Sequence, residues 1–255
     1  MKVGIIGIGN MGSIIADSLI KNNYNVILSN RGRYISNFSN EKVEITNNIE
    51  VAKKSDYIIL SVKPAVISEV IKEIKDYIKD QVIISIAAGI TLDYLKENLG
   101  EKKFAIAMPN TPAKVREGMS AISPNKNLKE NEVENILKIF SSFGKAEIID
   151  EKYFNIFSSV SGCLPAYVYM FIEAVSDAAV FCGMNRNDSY KFIAQSILGS
   201  AKMVLDTKEH PGKLKDMVTS PSGTTIEGLK ILEDNGFRGT IIDAIIASFN
   251  KAKEM

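Results

Sequence analysis

The chain has 255 residues, with 31 lysines and arginines against 30 aspartates and glutamates and a formal net charge of +1. A hydrophobic fraction of 45% and a charged fraction of 24% are close to the globular average, which excludes collagen, coiled coil and intrinsic disorder. The balanced charge provides no field of one sign for nucleic acid or an acidic membrane surface, so we expect neither as a partner.

The first 150 residues alternate short apolar runs with helical patterns. The runs lack the polar alternation of half-exposed strands, which is typical of parallel strands covered on both faces. They cover residues 3–8, 26–28, 57–62, 82–87 and 104–108. A later pair, at 119–122 and 146–149, flanks a helical stretch and is a candidate extension of the sheet. This order predicts an α/β fold that begins with a Rossmann-type doubly wound sheet.

From about residue 151 the strand patterns stop. Helical spacing predicts helices that begin at Pro165, near Asp188 as N-cap, at Thr224 and at Thr240. We therefore predict two domains, an α/β domain in residues 1–150 and an all-α domain in residues 151–255. The extensive apolar faces of the later helices favour a homodimer.

One uncharged stretch has the length of a membrane span. Residues 153–172 contain no charged side chain, but they include Asn155, Ser158 and Pro165, which a lipid-facing helix disfavours. We interpret the stretch as buried or as a subunit interface, and we expect no membrane association.

Cysteine and histidine are scarce. The chain has two cysteines, Cys163 and Cys182, and one histidine, His210. This composition excludes a histidine-rich metal site and a disulfide scaffold, so we expect no metal and a reducing, cytoplasmic location.

The strongest local motif is a glycine loop between the first predicted strand and helix. In such a loop Gly7 makes the tight turn, Gly9 lets a pyrophosphate approach the backbone, and Gly12 lets the helix pack on the strand. The helix N-terminus then faces the phosphates. The motif predicts dinucleotide binding, against the alternative of a glycine-rich turn without a ligand.

The end of the second predicted strand indicates which dinucleotide binds. An NAD site usually places an acid about 20 residues past the glycines, on the ribose 2′-hydroxyl. No acid occurs between Asp17 and Glu41, and the strand ends instead in hydroxyl, amide and guanidinium side chains that suit a 2′-phosphate. These are Ser29, Asn30, Arg31 and Arg33. We expect NADP, with NADPH preferred and NADH accepted, unless the arginines are only solvated loop charges.

Three further segments end predicted strands at the edge where ligands of doubly wound sheets bind. Lys63 could face a cofactor or be a surface charge, and Ala87 and Ala88 leave room for a nicotinamide or only form a turn. Asn110 and Thr111 lie between two prolines.

A run of small and hydroxylated residues precedes the helix at Thr224. Thr224 and Glu227 have the spacing of a capping box. Free amide groups at a helix start also form an anion site, which would suit a substrate carboxylate. The segment is therefore either a capped helix alone or a carboxylate site.

Five segments together resemble the pyrroline-5-carboxylate reductase family. They are SIAAGI at 85–90, MPNTPA at 108–113, EGMS at 117–120, PAY at 165–167 and HPGKLKDMVTSPSGTTIEGL at 210–229. The resemblance implies a Rossmann domain, a helical dimerisation domain that often builds decamers, and NAD(P)H-dependent reduction of 1-pyrroline-5-carboxylate to L-proline. The chain departs from the family pattern at Cys163, Leu164 and Ile106.

The resemblance also implies site residues. Thr225 and Ser220 would meet the substrate and act as the catalytic pair, and Thr224, Thr225, Ser220, Gly223 and Glu151 would bind it. The cofactor segments would comprise Ile6, Gly7, Ile8, Gly9, Asn10, Met11, Gly12, Asn48, Ser61, Val62, Lys63, Pro64, Ile86, Ala87 and Ala88.

Three alternative functions fit the same fold. A β-hydroxyacid dehydrogenase would need a helix lysine as acid, and Lys191 and Lys202 lack a matching motif. A second alternative is a reductase that acts on another cyclic imine. The non-enzymatic alternative is an NADP-binding scaffold or sensor.

We expect the single histidine, His210, to make a structural contact.

Overall fold

The computed structural model describes residues 1–29, 38 and 41–254. Within them, eight strands form one sheet in the order β3-β2-β1-β4-β5-β6-β7-β8. The strands are β1 (Lys2–Ile6), β2 (Asn25–Ser29), β3 (Val43–Ile45), β4 (Tyr57–Leu60), β5 (Val82–Ser85), β6 (Lys103–Met108), β7 (Gly118–Pro124) and β8 (Gly144–Ile148). Neighbouring strands are parallel except β6 and β7, which are antiparallel.

Helices connect the strands and then form the second half of the chain. They are α1 (Asn10–Lys21), α2 (Asn48–Lys54), α3 (Pro64–Ile74), α4 (Leu92–Leu99), α5 (Glu130–Ser141), α6 (Phe154–Phe157), α7 (Leu164–Phe181), α8 (Arg186–Thr207), α9 (Pro211–Met217), α10 (Thr224–Asp234) and α11 (Phe237–Lys253). A π-helical turn, Ser158–Cys163, lies between α6 and α7.

The sheet is covered on both faces, which explains the uninterrupted apolar runs. Side chains such as Ile59 join a core cluster that contains residues of α1 and α5. The adjacent Ile58 and Leu60 join a second cluster with α2, α3 and α4. Since successive side chains of a strand point to opposite faces, both sets are buried and neither face tolerates polar alternation.

The predicted α/β class and all seven predicted strand positions are confirmed. β3 was not predicted, because it has only three residues and lies at the sheet edge, where two of them are exposed. The predicted helix at 128–143 corresponds to α5.

The chain forms two compact units, residues 1–162 with 249–255, and residues 163–248. The second unit is helical. Its α7 and α8 are joined by a hydrogen bond between the buried hydroxyls of Ser176 and Ser189.

Two predicted caps in this unit are wrong. The N-cap of α8 is Asn185, whose side chain accepts a hydrogen bond from the Asn187 amide, so Asp188 lies inside the first turn. The N-cap of α10 is Gly223 and has no side-chain cap bond, so Thr224 already has a helical position and forms no capping box. Ser222 has a φ of 57°, which turns the chain into the helix one residue earlier than the pattern suggested.

The structural contact predicted for His210 is confirmed. His210 is the N-cap of α9, and its Nδ1 accepts a hydrogen bond from the Gly212 amide at 3.0 Å. Pro211 then occupies the first helical position, where its missing N–H costs nothing.

The uncharged stretch belongs to one continuous helical segment, residues 151–181, which is long and apolar enough by length and composition to cross a membrane. Only 6% of the most apolar 18-residue stretch of this segment is buried within the chain. Tyr169 and Met170 are 59% and 69% exposed. Burial within the monomer, one of the two interpretations above, is therefore wrong.

Candidate functional site

A cleft opens where the strand order changes direction. β1 pairs with β2 on one side and β4 on the other, so the connections that follow these strands diverge at this point. Such switch points are where doubly wound sheets bind ligands. The cleft has a volume of about 230 Å³. It is lined by Ile6, Gly7, Ile8, Gly9, Ser29, Asn48, Ser61, Val62, Lys63, Val66 and Val70.

The glycine loop at this cleft has the geometry that a bound phosphate requires. Gly7 has a φ of 98°, and a Cβ there would lie 2.5 Å from the Ser61 carbonyl oxygen. A Cβ on Gly12 would overlap the Gly7 carbonyl oxygen, whereas a Cβ on Gly9 would meet no atom within 4 Å. Gly9 is the N-cap of α1, which has no acidic residue in its first turn. The space beside Gly9 and the uncapped amides therefore fit a pyrophosphate.

A chain of hydrogen bonds begins at the wall of the cleft formed by the end of β2. Ser29 lies at the end of β2, and its hydroxyl donates to Asn48 Oδ1 at 2.6 Å. Asn48 Nδ2 in turn donates to Glu73 Oε2 at 2.7 Å. Ser29 and Asn48 are buried, and Glu73 is half-buried. The predicted contributors Asn30, Arg31 and Arg33 lie outside the described residues.

Sequence reasoning missed the contribution of α3. Val66, Val70 and Glu73 follow one another at helical spacing on one face of this helix, and the first two line the cleft. The signal was available, because Pro64 places the start of α3 at a strand end and apolar periodicity fixes which face packs inward.

Not all predicted cofactor residues line this cleft. Asn10, Met11 and Gly12 form the first turn of α1, and Pro64 begins α3. Ile86 continues from β5, and its amide donates to the Leu60 carbonyl at 3.1 Å. Ala87 lines a separate cavity.

That second cavity lies at the ends of β5 and β6 and has a volume of about 350 Å³. It is lined by Ala87, Gly89, Ile90, Thr91, Asp93, Ile106, Ala107, Met108, Glu151, Lys152, Phe154, Asn155, Ala252 and Lys253. Glu151 Oε1 accepts a hydrogen bond from the Leu92 amide at 2.7 Å. The predicted substrate residue Glu151 therefore joins the start of α4 to the wall of this cavity.

Asn110 connects two of the family segments with the π-helical turn. Its Nδ2 donates to the carbonyl oxygen and the hydroxyl of Ser161, at 3.1 and 3.2 Å. Its Oδ1 accepts from the Met119 amide at 2.9 Å. The side chain thus ties the loop after β6 to β7 and to the π-helical turn, which is a structural role.

The remaining predicted substrate residues lie together in the second unit. Ser220, Gly223, Thr224 and Thr225 surround the start of α10, and the Gly223 amide donates to the Ser220 carbonyl at 3.1 Å. A Cβ on Gly223 would collide with the Ser220 hydroxyl oxygen. Thr224 and Thr225 occupy the first two helical positions, where backbone amides have no acceptor within the helix. This arrangement can bind a carboxylate.

Known proteins match both halves of the chain. Residues 151–255 match a family model described as pyrroline-5-carboxylate reductase dimerisation, and residues 2–89 match one described as NADP oxidoreductase, coenzyme F420-dependent. The pyrroline-5-carboxylate reductase of Escherichia coli (strain K12) is 44% identical over 266 residues, covering 100% of this chain and 98% of that protein. That of Methanosarcina acetivorans is 38% identical, covering 100% and 97%.

A solved structure agrees along the whole chain. The Plasmodium falciparum pyrroline carboxylate reductase, crystallised with NADP bound, superposes with a TM-score of 0.90 at 35% identity, covering 100% of this chain and 97% of that one. The resemblance stated from the sequence motifs is confirmed. The chain belongs to the pyrroline-5-carboxylate reductase family.

Proposed function

We propose that the protein reduces the carbon–nitrogen double bond of 1-pyrroline-5-carboxylate to give L-proline, the last step of proline biosynthesis. The observation that carries this proposal is the similarity to reductases of that name along the full chain. The cleft at the glycine loop supplies a site for a nicotinamide dinucleotide.

The chain's contribution is to bind and orient, while the nicotinamide supplies the hydride when it is bound. The backbone beside Gly9 and the start of α1 hold phosphate groups. The amides of Thr224 and Thr225 hold the substrate carboxylate, and Glu151 contacts the substrate. The hydroxyl of Thr225 or Ser220 accepts a hydrogen bond from the protonated ring nitrogen. Proximity of this kind supplies a large part of a rate enhancement.

The reaction needs no strong general acid from the protein. An imine nitrogen takes its proton from water before it binds, and the proton stays on the nitrogen of the amine product. The side chains around α10 that carry this proposal, Ser220 and Thr225, are hydrogen-bonding groups rather than strong acids at neutral pH.

The cofactor is NADP, with NADPH preferred and NADH accepted. The absence of an acid between Asp17 and Glu41 supports this preference, as do the arginines at 31 and 33. Two of the predicted cofactor segments lie outside the cleft, and we assign them to the same proposed site. They are residues 10–12 and residues 86–88.

The two-domain division is also part of the proposal, with NADP binding in residues 1–150 and dimerisation and substrate binding in residues 151–255. A homodimer would cover the exposed apolar side chains of α7. Dimers assemble further into decamers, and the protein is cytoplasmic, without a membrane or nucleic-acid partner.

A comparison of substrates tests the proposal. Purified protein with NADPH should turn over pyrroline-5-carboxylate with a much larger kcat/KM than a β-ketoacid. Lys202 is exposed, pairs with Asp206 at 3.3 Å and lines neither of the two cavities described above, so its placement does not favour a role as the acid of an alcohol dehydrogenase. Turnover of the ketoacid alone would favour a β-hydroxyacid dehydrogenase, and tight dinucleotide binding without any turnover would favour a sensor.

A further inference from the structure

The hydrogen-bond chain from Glu73 to Ser29 has a fixed direction. An ionised carboxylate only accepts hydrogen bonds, so the Asn48 side chain must turn its NH₂ group toward Glu73. The 2.7 Å distance between Asn48 Nδ2 and Glu73 Oε2 agrees with that orientation.

The orientation of Asn48 determines what Ser29 can do. With its NH₂ group turned to Glu73, Asn48 presents Oδ1 to Ser29, at 2.6 Å from the hydroxyl oxygen. A serine hydroxyl has one proton, and here that proton is donated to Asn48. Toward the cleft, Ser29 Oγ therefore offers lone pairs only.

The position of Ser29 gives this direction a consequence for the cofactor. Ser29 lies at the end of β2 and lines the cleft, and it follows Gly9 by about 20 residues, the spacing at which dinucleotide sites hold the ribose 2′-oxygen. A ribose 2′-hydroxyl can donate to a lone pair on Ser29. A 2′-phosphate dianion carries only acceptors and gains no hydrogen bond from this serine, which differs from the expectation above that the Ser29 hydroxyl suits a 2′-phosphate.

We propose that Glu73 is a positioning residue that sets cofactor specificity through Asn48 and Ser29. By fixing the direction of the chain, Glu73 makes Ser29 an acceptor for the 2′-hydroxyl of NADH. It thereby limits the preference for NADPH that the rest of the loop provides. This inference rests on the proposed dinucleotide-binding function.

Replacing Glu73 with glutamine should release the chain from its fixed direction, because a glutamine side chain can either accept from Asn48 through its oxygen or donate to it through its NH₂ group. The side-chain amide introduced by Glu73→Gln can donate to Asn48 Oδ1, which lets the Asn48 NH₂ group turn to Ser29 and frees the serine proton for the cleft. One hydrogen bond is worth about 0.5–1.5 kcal/mol, so the ratio of the two dissociation constants should move toward NADPH by about 2- to 12-fold.

The test is an equilibrium titration of NADH and NADPH fluorescence on the full-length protein, without substrate. Glu73→Gln should weaken NADH binding relative to NADPH binding by that factor. Ser29→Ala should weaken NADH binding alone, and in that background Glu73→Gln should leave the ratio unchanged. The matched control is Glu50→Gln on the neighbouring α2, whose carboxylate accepts from Lys53 outside the cleft; it should change neither constant.

Two results would overturn the inference while leaving the proposed function intact. One is an unchanged ratio of the two dissociation constants in Glu73→Gln, whether neither constant changes or both change equally, because the ionised carboxylate then does not set the specificity. The other is an undiminished shift in the Ser29→Ala background, which places the effect outside the chain of three residues. Failure of the wild-type protein to bind either dinucleotide would overturn the proposed function, and the inference with it. If Glu73→Gln fails to fold, the Ser29→Ala titration decides alone.

Discussion

Glu151 Oε1 accepts a hydrogen bond from the Leu92 backbone amide at 2.7 Å, although the two residues are 59 positions apart. The contact satisfies the first amide of α4, while the Thr91 hydroxyl accepts from the Tyr94 amide of the same turn. Glu151 therefore holds together two walls of the cavity at the ends of β5 and β6. A residue expected to contact substrate thus also has a structural role.

The two roles of Glu151 can be separated by substitution. Glu151→Gln keeps an oxygen acceptor for the Leu92 amide but removes the charge, so thermal stability should be nearly unchanged while KM for the imine rises. Glu151→Ala loses both, and the unpaired amide should lower the free energy of unfolding by about 0.5–1.5 kcal/mol. Denaturant unfolding and steady-state kinetics of both variants check this. Equal destabilisation by the two substitutions would contradict it.

Gly9 and Gly12 should respond oppositely to alanine. Gly12→Ala places a Cβ against the Gly7 carbonyl oxygen and within 2.9 Å of the Ser61 hydroxyl, so it should destabilise the fold by about 1–3 kcal/mol. Gly9→Ala meets no protein atom, so the melting temperature should stay constant. Its methyl group occupies the proposed phosphate position, and NADPH affinity should fall by about 10- to 150-fold.

The same pair provides its own control, since each variant is assayed by both thermal melting and dinucleotide titration. A Gly9→Ala protein that binds NADPH like the wild type would place the pyrophosphate elsewhere.

Thr225→Ala tests the start of α10. The substitution keeps the backbone amide and removes only the hydroxyl, so the carboxylate contact should survive. A hydrogen bond to a charged group is worth about 1.5–3 kcal/mol, which predicts a loss of about 10- to 150-fold in kcat/KM.

Thr224→Ala is the matched control for this experiment. Because the N-cap is Gly223 and no side chain caps α10, the Thr224 substitution should change stability little. If Thr224→Ala abolishes activity while Thr225→Ala is silent, the assignment of the two residues is shifted by one position.

Glu132 should make stability depend on pH. Burial acts to raise the pKa of its carboxyl, but hydrogen bonds from Lys103 Nζ and the Lys129 amide outweigh it, so the pKa is lowered. A carboxyl with a lowered folded-state pKa stabilises the protein above its unfolded-state pKa, and that stabilisation is lost as pH falls through the folded-state pKa.

We therefore expect Glu132→Ala to be less stable than wild type by about 1–2 kcal/mol at pH 7, with the difference shrinking in acid. Urea unfolding of both proteins at several pH values between neutral and acidic measures this difference in stability. Glu134→Ala, which removes an exposed carboxylate 3.8 Å from Lys138 on the same helix, should show little difference at any pH. If the difference in the free energy of unfolding between wild type and Glu132→Ala stays constant with pH, the stabilising role of the Glu132 charge is contradicted.

Much of the first half could be predicted from the sequence, because burial on both faces gives strands such as β4 and β5 unbroken apolar runs. Capping was less predictable. Thr224 and Glu227 have the spacing of a capping box, but the positive φ of Ser222 makes Gly223 the cap, and this local backbone conformation leaves no pattern in the side chains.

The contact between Glu73 and Asn48 was also beyond sequence reasoning. The two residues belong to different helices, and only the packing of α2 beside α3 brings the carboxylate to the amide. The sequence showed that no acid lies on the loop after β2. It did not show that α3 supplies one from another direction.

The most direct test of the proposed activity is product stoichiometry. Purified protein with NADPH and 1-pyrroline-5-carboxylate should oxidise the nicotinamide and form one L-proline for each NADPH consumed, with no reaction when either is omitted. Oxidation of NADPH without proline, or absence of turnover in a folded protein that binds NADPH, would contradict the account.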